Sequence, residues 1–586
     1  MTANGKEMPS RDRCDLRSRL ERHGCRNVRG GRRWAPAARG RAVVTAAAGP
    51  ADRPTSAWAP LRTAAYRNLW LALLAANVGT WMQTVGAQWL LIHQANASTL
   101  VALVQTASLL PVLLLALPAG VLADSFDRRH LLISVQLFLV AVAALLAVLT
   151  LTDRMPPALL LTLTFAFGVG QALTLPAWAA VIPELVPQEH LRSASALGSI
   201  SVNAARAVGP ALAGVLIART GVAPVFALNA VAFGIFAYAL WRWRPGNTRA
   251  VEVPERFTAA LRAGSRFVRH SPTVRRLLRR SMVFVVPASS LWALLPLVAD
   301  RRLGLGSGGY GLLLAALGIG AVGGGFLLSV IRARLSANHL LLISGALFTI
   351  ALTVVGTVRV VPLVLVALLP AGMAWVTVLA NINAEMQLFL PSWVRARGLA
   401  VYQIFFAGGQ AAGALVWGLV ADLGGLVLAY LAAAAVMLIG TVTSRLWPLP
   451  DLRTGNREPA VYWPQLNLVY EPDPGVGPVL VTVQYTVRPE RTQAFLTAMD
   501  MVRGARQRTG AMRWGLFRPA ETADRFVEVY LVPSWGEHLR QHGGRLTGED
   551  RAAERRVQDL TEGAPEIHHL VPAAAGPTMT DDREGV

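Results

Sequence analysis

The sequence predicts an all-α polytopic membrane protein, about twelve transmembrane helices in two six-helix halves, with a small α+β domain at its C-terminal end. Three observations carry this reading. Hydrophobic residues make up 53% of the 586-residue chain and charged residues only 15%, with mean hydropathy +0.43, outside the range of soluble domains. Apolar runs of roughly twenty residues, the length that crosses a hydrocarbon core, recur along most of the chain. After Trp447 the composition changes abruptly.

Taken in order, residues 1–57 form an Arg-rich tail without an apolar signal-peptide core, and they are expected to be disordered. Spans follow at 69–92, 99–122, 131–152, 157–181, 194–218, 223–243, 281–300, 309–331, 338–357, 361–384, 398–421 and 426–447. Residues 120–132, between the second and third spans, make a tight charged hinge that forces those helices to be antiparallel. The hinge holds Gly120, Asp124, Asp127, Arg128 and Arg129. Cytoplasmic loops are enriched in Arg and Lys, so Arg128 and Arg129 place this hinge inside the cell. In that orientation the inside loops carry eighteen arginines and the outside loops five. Both termini are then cytoplasmic, and the protein is a multi-pass protein of the inner, cytoplasmic membrane.

The N-terminal half is read as 58–243 and the C-terminal half as 281–447, joined by a cytoplasmic connector, 244–280. Phe257, Leu261, Phe267 and Val268 give the connector an amphipathic face of the kind that lies on a membrane surface. The halves repeat: Gly209, Gly214 and Gly221 recur as Gly413, Gly418 and Gly425 at a constant offset of 204.

A Pro-rich spacer, 448–478, leads to the last domain, 479–575, and a disordered tail, 576–586. Strand-like alternation at 479–487, 512–517, 526–532 and 567–571, with helical stretches at 489–508 and 552–560, gives the order βαββαβ of a ferredoxin-like unit. Trp535, His538 and His542 share one helix face, which reads as a surface for a dimer or membrane-protein contact.

Ionisable groups at membrane depth are costly and are the first functional candidates. Arg206 leads, because it sits near the middle of the fifth span, roughly 18 Å from the inner end at 1.5 Å per residue. Asn203 lies on the same helix face. The competing reading is a structural arginine bonded to backbone carbonyls. Asn77, Trp81, Gln83, Gln88, Gln171, Asn381, Asn383, Gln403 and Gln410 are candidates for lining a central cavity, with interhelical hydrogen bonding as the alternative for each. Gln410 aligns with Arg206 by the repeat offset. Glu385 and Glu184, at inner helix ends, are candidate protonatable groups, with a surface carboxylate near the headgroups as the equal alternative. Gly209, Pro210 and Gly214 allow close helix packing or a bend.

The hinge, with Asn77-Val-Gly-Thr-Trp-Met-Gln-Thr84, Pro183-Glu-Leu-Val-Pro187 and Arg206-Ala-Val-Gly-Pro-Ala-Leu-Ala-Gly214, resembles the major facilitator superfamily over residues 60 to 450. The likeness is to its transmembrane secretion effector branch, which includes the enterobactin exporter. The chain has Asp127 and Ala213 where the family's hinge and fifth-helix patterns have glycine. The resemblance implies alternating access and proton antiport. It also implies a conformational switch, made of Gly120, Asp124, Arg128 and Arg129 on one side and Arg395 and Arg397 on the other, in which Asp124 docks against Arg395 and Arg397 when the cavity faces outward. The C-terminal pattern resembles antibiotic-biosynthesis monooxygenase-like domains.

No Walker-type phosphate loop is present, so ATP is not the energy source in this chain. No catalytic grouping or zinc-ligand spacing stands out in the first 450 residues, and the two cysteines, Cys14 and Cys25, both lie in the tail. The expected function is secondary active, proton-coupled efflux of a small organic molecule such as a siderophore, an antibiotic or another metabolite. The chain is not expected to be an enzyme or to use a cofactor, metal or nucleic acid. Its partners are the substrate, protons, the lipid bilayer and, through the C-terminal domain, a second copy of itself. The alternative is a bifunctional protein whose C-terminal domain is a cofactor-less monooxygenase acting on the transported compound.

Overall fold

A computed structural model describes residues 58–244, 257–449 and 472–573. The tails at 1–57 and 576–586, and the middle of the Pro-rich spacer, lie outside these described residues. Helices α1 (Ala64–Trp89), α2 (Ala97–Ser125), α3 (Arg128–Leu151), α4 (Pro157–Leu185), α5 (Leu191–Thr220) and α6 (Ala223–Arg242) form the first half. An amphipathic helix, α7 (Phe257–His270), precedes α8 (Pro272–Leu297), α9 (Ser307–Arg334), α10 (Ala337–Thr357), α11 (Val361–Phe389) and α12 (Ser392–Thr443). Ten helical segments among the described residues are long and apolar enough to cross a membrane. One of them, 54 residues long, is two helices joined at Gly425, where φ is 81° and the helix breaks. The 26-residue α1 completes a bundle of twelve among the described residues.

The element ends follow from local chemistry. Asp127 takes the N-cap of α3 and accepts from the His130 amide at 2.8 Å, so the departure from the glycine of the family's hinge starts the next helix. That hydrogen bond holds the Asp127 carboxyl below its usual range. Ser271 caps α8 and Pro272 occupies its first turn, where a missing amide hydrogen costs nothing. The second half therefore begins at Pro272 rather than 281, and the arginines at the end of the connector belong to a helix.

The repeat is physical. Gly221 and Gly425 both adopt left-handed backbone, φ 85° and 81°, which disfavours residues with a Cβ. A Cβ on Gly209 would sit 2.7 Å from Trp81 of α1, and one on Gly413 would sit 2.6 Å from the Val286 carbonyl of α8. Likewise Gly214 faces Ser307 and Gly311 of α9, while Gly418 faces Ser98 and Ala102 of α2. Equivalent glycines thus hold α5 against α1 and α9, and α12 against α8 and α2.

The C-terminal domain is a four-stranded antiparallel sheet of β1 (Val479–Thr486), β2 (Arg513–Phe517), β3 (Arg525–Val532) and β4 (Glu566–Leu570), in the order β2-β3-β1-β4. Helices α13 (Thr492–Thr509) and α15 (Gly548–Leu560) pack together beside it, and the short α14 (Trp535–Arg540) follows β3. This is the ferredoxin-like arrangement. Residues of β1 alternate buried and half-buried because only one face meets the helices.

The two described ends of the spacer are anchored. Asn338 exchanges two hydrogen bonds with the Leu449 backbone at 3.0 and 3.1 Å, and the amides of Trp535 and Gly536 bond to Val476 and Pro474. Helix α7 lies between α12 and α13. Its buried Phe267 meets Trp393 edge-on, with ring centroids 5.8 Å apart, so this residue packs on protein rather than on lipid. Arg545 stacks over Trp393 at 4.7 Å and pairs with Glu537 at 2.7 Å, and Arg266 of α7 is 4.0 Å from the same carboxylate. Burial opposes the charge on Glu537, but Arg545 and Arg540 outweigh it and hold its pKa below the usual range.

Candidate functional site

Arg206 lies half-way along α5 and is half-buried. Its Nη1 donates to Asn203 Oδ1 at 3.3 Å, and its guanidinium sits 5.3 Å from the Trp81 ring. Asn203 also donates to the Ser199 carbonyl one turn back. From Trp81 an aromatic row continues through Trp292 of α8, 5.8 Å away, to Trp375 of α11, a further 5.4 Å, and on to Phe406 of α12 at 6.0 Å. Arg206 Nε, Trp292 Nε1 and Trp375 Nε1 are buried without a hydrogen-bond partner. The middle of the bundle therefore holds a cation and buried, unpaired N–H donors along one aromatic row.

Other polar residues around this wall are tied to neighbouring helices. Asn77 donates to Ser201 Oγ at 3.0 Å, and Gln171 donates to Thr80 Oγ1 at 3.2 Å. Gln83 accepts from Asn229 at 2.5 Å. Gln88 donates to the Trp292 carbonyl and accepts from the Tyr310 hydroxyl at 2.6 Å. Gln410 is buried. Asn381, Asn383 and Glu385 are not brought to Arg206. They occupy the last turns of α11, where Asn381 accepts from Arg332 and Asn383 accepts from Gln387. Asn381 and Glu385 line a separate recess of about 400 Å³ with Arg332 and Arg334.

At the hinge, Arg128 pairs with Glu184 at 2.8 Å and also donates to the Ala180 carbonyl. Arg129 donates to the carbonyls of Leu240 and Trp241. Both arginines thus bind helix ends within their own half. Gly120 and Asp124 lie in the last turns of α2, and the Asp124 side chain lies outside what the structure describes. Arg395 donates to the Leu390 carbonyl at 3.3 Å, and Arg397 packs where a Cβ on Gly264 of α7 would fall.

The two halves touch away from the hinge. At the opposite, far end, the Thr99 amide donates to Asp422 at 2.9 Å, Arg301 donates to the Ile92 carbonyl at 3.1 Å, and Ser307 donates to the Gly214 carbonyl at 3.3 Å. Trp89 stacks on Tyr310. Nearer the middle, Thr106 donates to the Ala411 carbonyl at 2.9 Å, and Gly318 abuts Ala207. These contacts close the far end of the bundle.

The chain matches the family described as transmembrane secretion effector over residues 55–577. It belongs to that family of major facilitator transporters. The match runs through the C-terminal sheet domain as well as the bundle. An uncharacterized major-facilitator-type transporter of Bacillus subtilis, YfiS, is 31% identical over 205 residues, 34% of this chain and 47% of its own length, so this chain spans about half of that relative. The staphyloferrin A transporter of Staphylococcus aureus is 24% identical over 47% of this chain and 69% of its own length. The multidrug efflux pump Tap of Mycolicibacterium fortuitum is 28% identical over 65% and 95%. A crystal structure of a bacterial homolog to the human lysosomal transporter Spinster superposes with TM-score 0.53 at 14% identity, covering 66% of this chain and 95% of its own, a likeness of fold alone.

By family the chain is a multi-pass secondary transporter. An oxygenase role for the C-terminal domain, a small four-stranded sheet with helices, is not supported. Trp535 and His538, expected on a contact surface, are wholly buried inside that domain, because their shared helix face turns under the sheet. Trp292, Trp375 and Tyr310 went unread in the sequence. An aromatic residue inside an apolar span gives no sign of its face until the helices pack.

Proposed function

We propose that this transporter exports a small, acceptor-rich organic molecule across the cytoplasmic membrane, by alternating access and in exchange for protons, with both termini inside. The observation that carries the proposal is the mid-bundle wall of Arg206, Trp81, Trp292 and Trp375 with its unpaired buried donors. Carboxylate or catecholate groups, as in siderophores, suit that wall, and planar antibiotics suit its rings. Export is supported by the efflux pump among the relatives, and siderophores are supported by the staphyloferrin A transporter. The excess of arginine at the hinge end supports a cytoplasmic hinge. On that orientation the far-end contacts describe a form closed to the outside. The Gly120 and Asp124 end of α2 is proposed to meet the Arg395 and Arg397 turn of α12 in the opposite form. Protons are the proposed coupling ion, and a second copy of the chain is a further proposed partner.

Inverted membrane vesicles test the reading, using labelled siderophores, macrolides and dyes with and without a protonophore. Gradient-dependent uptake is expected for the parent. Arg206→Ala should reduce it at least tenfold at equal membrane abundance, with Arg206→Lys intermediate because it keeps the charge and loses the planar fork. Uptake by Arg206→Ala equal to the parent overturns the role of the wall. Uptake indifferent to the protonophore overturns proton coupling.

A further inference from the structure

The C-terminal domain encloses a cavity of about 370 Å³ between the sheet and helices α13 and α15. Val483, Val502, Val557 and Ile567 give it an apolar wall, and the exposed turn at Gly563 and Ala564 marks its mouth. The opposite wall is polar. Arg506, 6% exposed, donates from Nε to Glu528 at 3.3 Å and from Nη1 to Glu554 at 2.7 Å. Glu528 is fully engaged, taking further hydrogen bonds from the Tyr485 hydroxyl at 2.9 Å and Trp514 Nε1 at 2.8 Å. Glu554 is not. Its Oε2 is buried and has no hydrogen-bond partner.

Charge decides what such a cavity accepts. Burial opposes the charge on Arg506, but Tyr530, Glu528 and Glu554 hold its pKa well above the usual value, so one permanent cation faces two carboxylates. The imidazoles of His538 and His569 add no charge to offset the second. Burial, with the neighbouring His542, His569 and Arg506, pushes His538 down to about 2, and burial with His568 lowers His569. Neutral imidazoles also offer lone pairs. A buried acceptor with one carboxylate in surplus favours a donor carrying positive charge, since a charge-assisted hydrogen bond is about twice as strong as a neutral one. An anion would meet the surplus carboxylate directly. The volume lies within the range of small-molecule sites, and the valine and isoleucine wall requires an apolar body.

We propose that this cavity is a binding site for an organic ammonium ion, an amine on a compact apolar or aromatic body, whose N–H group is held by Glu554. The site belongs to the sheet domain and is distinct from the mid-bundle wall. Occupancy is read without transport, so its test does not depend on the export proposal.

The full chain in zwitterionic lipid nanodiscs is dialysed to equilibrium against 1-naphthylmethylammonium, 1-naphthylmethanol or 1-naphthoate, with empty nanodiscs as the blank. One saturable site is expected, at least tenfold tighter for the amine than for the alcohol, with no binding of the carboxylate. Glu554→Gln should weaken the amine at least tenfold and leave the alcohol unchanged, and Val557→Trp, which fills the cavity, should abolish both. Hydrogen exchange on the unaltered protein keeps the test independent of mutant folding. At saturating amine, amides of 502–506, 554–558 and 563–569 should exchange several-fold more slowly. Equal affinity for amine and alcohol, or saturation without protection of those segments, overturns the proposal.

Discussion

The contact between Asp422 and α2 is the place where a single side chain most clearly links the two halves. Helix α2 begins after Asn96, which has φ 56° and makes no side-chain cap, so its first-turn amides depend on an acceptor from elsewhere. Asp422, at the far end of the first part of α12, supplies one to the Thr99 amide at 2.9 Å. It is an N-cap provided by the opposite half. Such a cap contributes roughly 0.5–2 kcal/mol, and exposure of the pair places it near 1 kcal/mol. Because the bond exists only while the far ends touch, its full value enters the equilibrium between far-end-closed and far-end-open forms, a shift of about fivefold. Asp422→Ala is therefore expected to enrich the far-end-open form about fivefold, and Asp422→Asn, which keeps an acceptor but loses the charge, should fall between. The assay is a spin–spin distance distribution between labels at Gln94→Cys and Leu423→Cys, after replacing Cys14 and Cys25 with serine. If the Asp422→Ala distribution matches the parent under all conditions, the contact is only a surface hydrogen bond.

Two further perturbations probe the C-terminal domain. Trp393→Ala removes the ring under Arg545 and beside Phe267, a cation–π contact of about 1 kcal/mol; exchange of the α7 amides at 264–270 should accelerate about fivefold, and an unchanged rate would show that the domain is held by other contacts. His538 has its pKa depressed in the fold, so the unfolded chain binds the proton more readily and stability is complete above about pH 6.5, falling as pH drops towards 2. Between pH 7 and pH 5 that group alone removes about 2 kcal/mol. Urea unfolding of the parent should show the loss, His538→Gln should show a correspondingly smaller one, and equal pH slopes in the two proteins would contradict the burial argument.

The sequence by itself determined the spans, the two-half repeat and the order of strands and helices in the last domain, because each depends on properties read along one dimension. A run of some twenty apolar residues crosses a bilayer wherever it occurs. Gly221 and Gly425 mark the same left-handed break in each half, since the backbone there tolerates little else. Asp127 is legible as a departure from a pattern, but its purpose, capping α3, emerges only in the folded chain. Tertiary structure alone decided which faces meet. Asn381 and Glu385 line the recess beside Arg332 because α11 runs on to Phe389, and an extra turn moves a side chain about 5 Å along the helix axis. Arg206 meets Trp81, and Trp81 meets Trp292, because small residues let helices distant in sequence approach closely: Gly209 admits α1, and Gly214 admits α9. The same holds for the sheet domain. The periodicity of Trp535 and His538 predicted a shared face, and only the packing of α14 against the sheet could turn that face inward, since helical spacing states which residues lie together and not what they lie against.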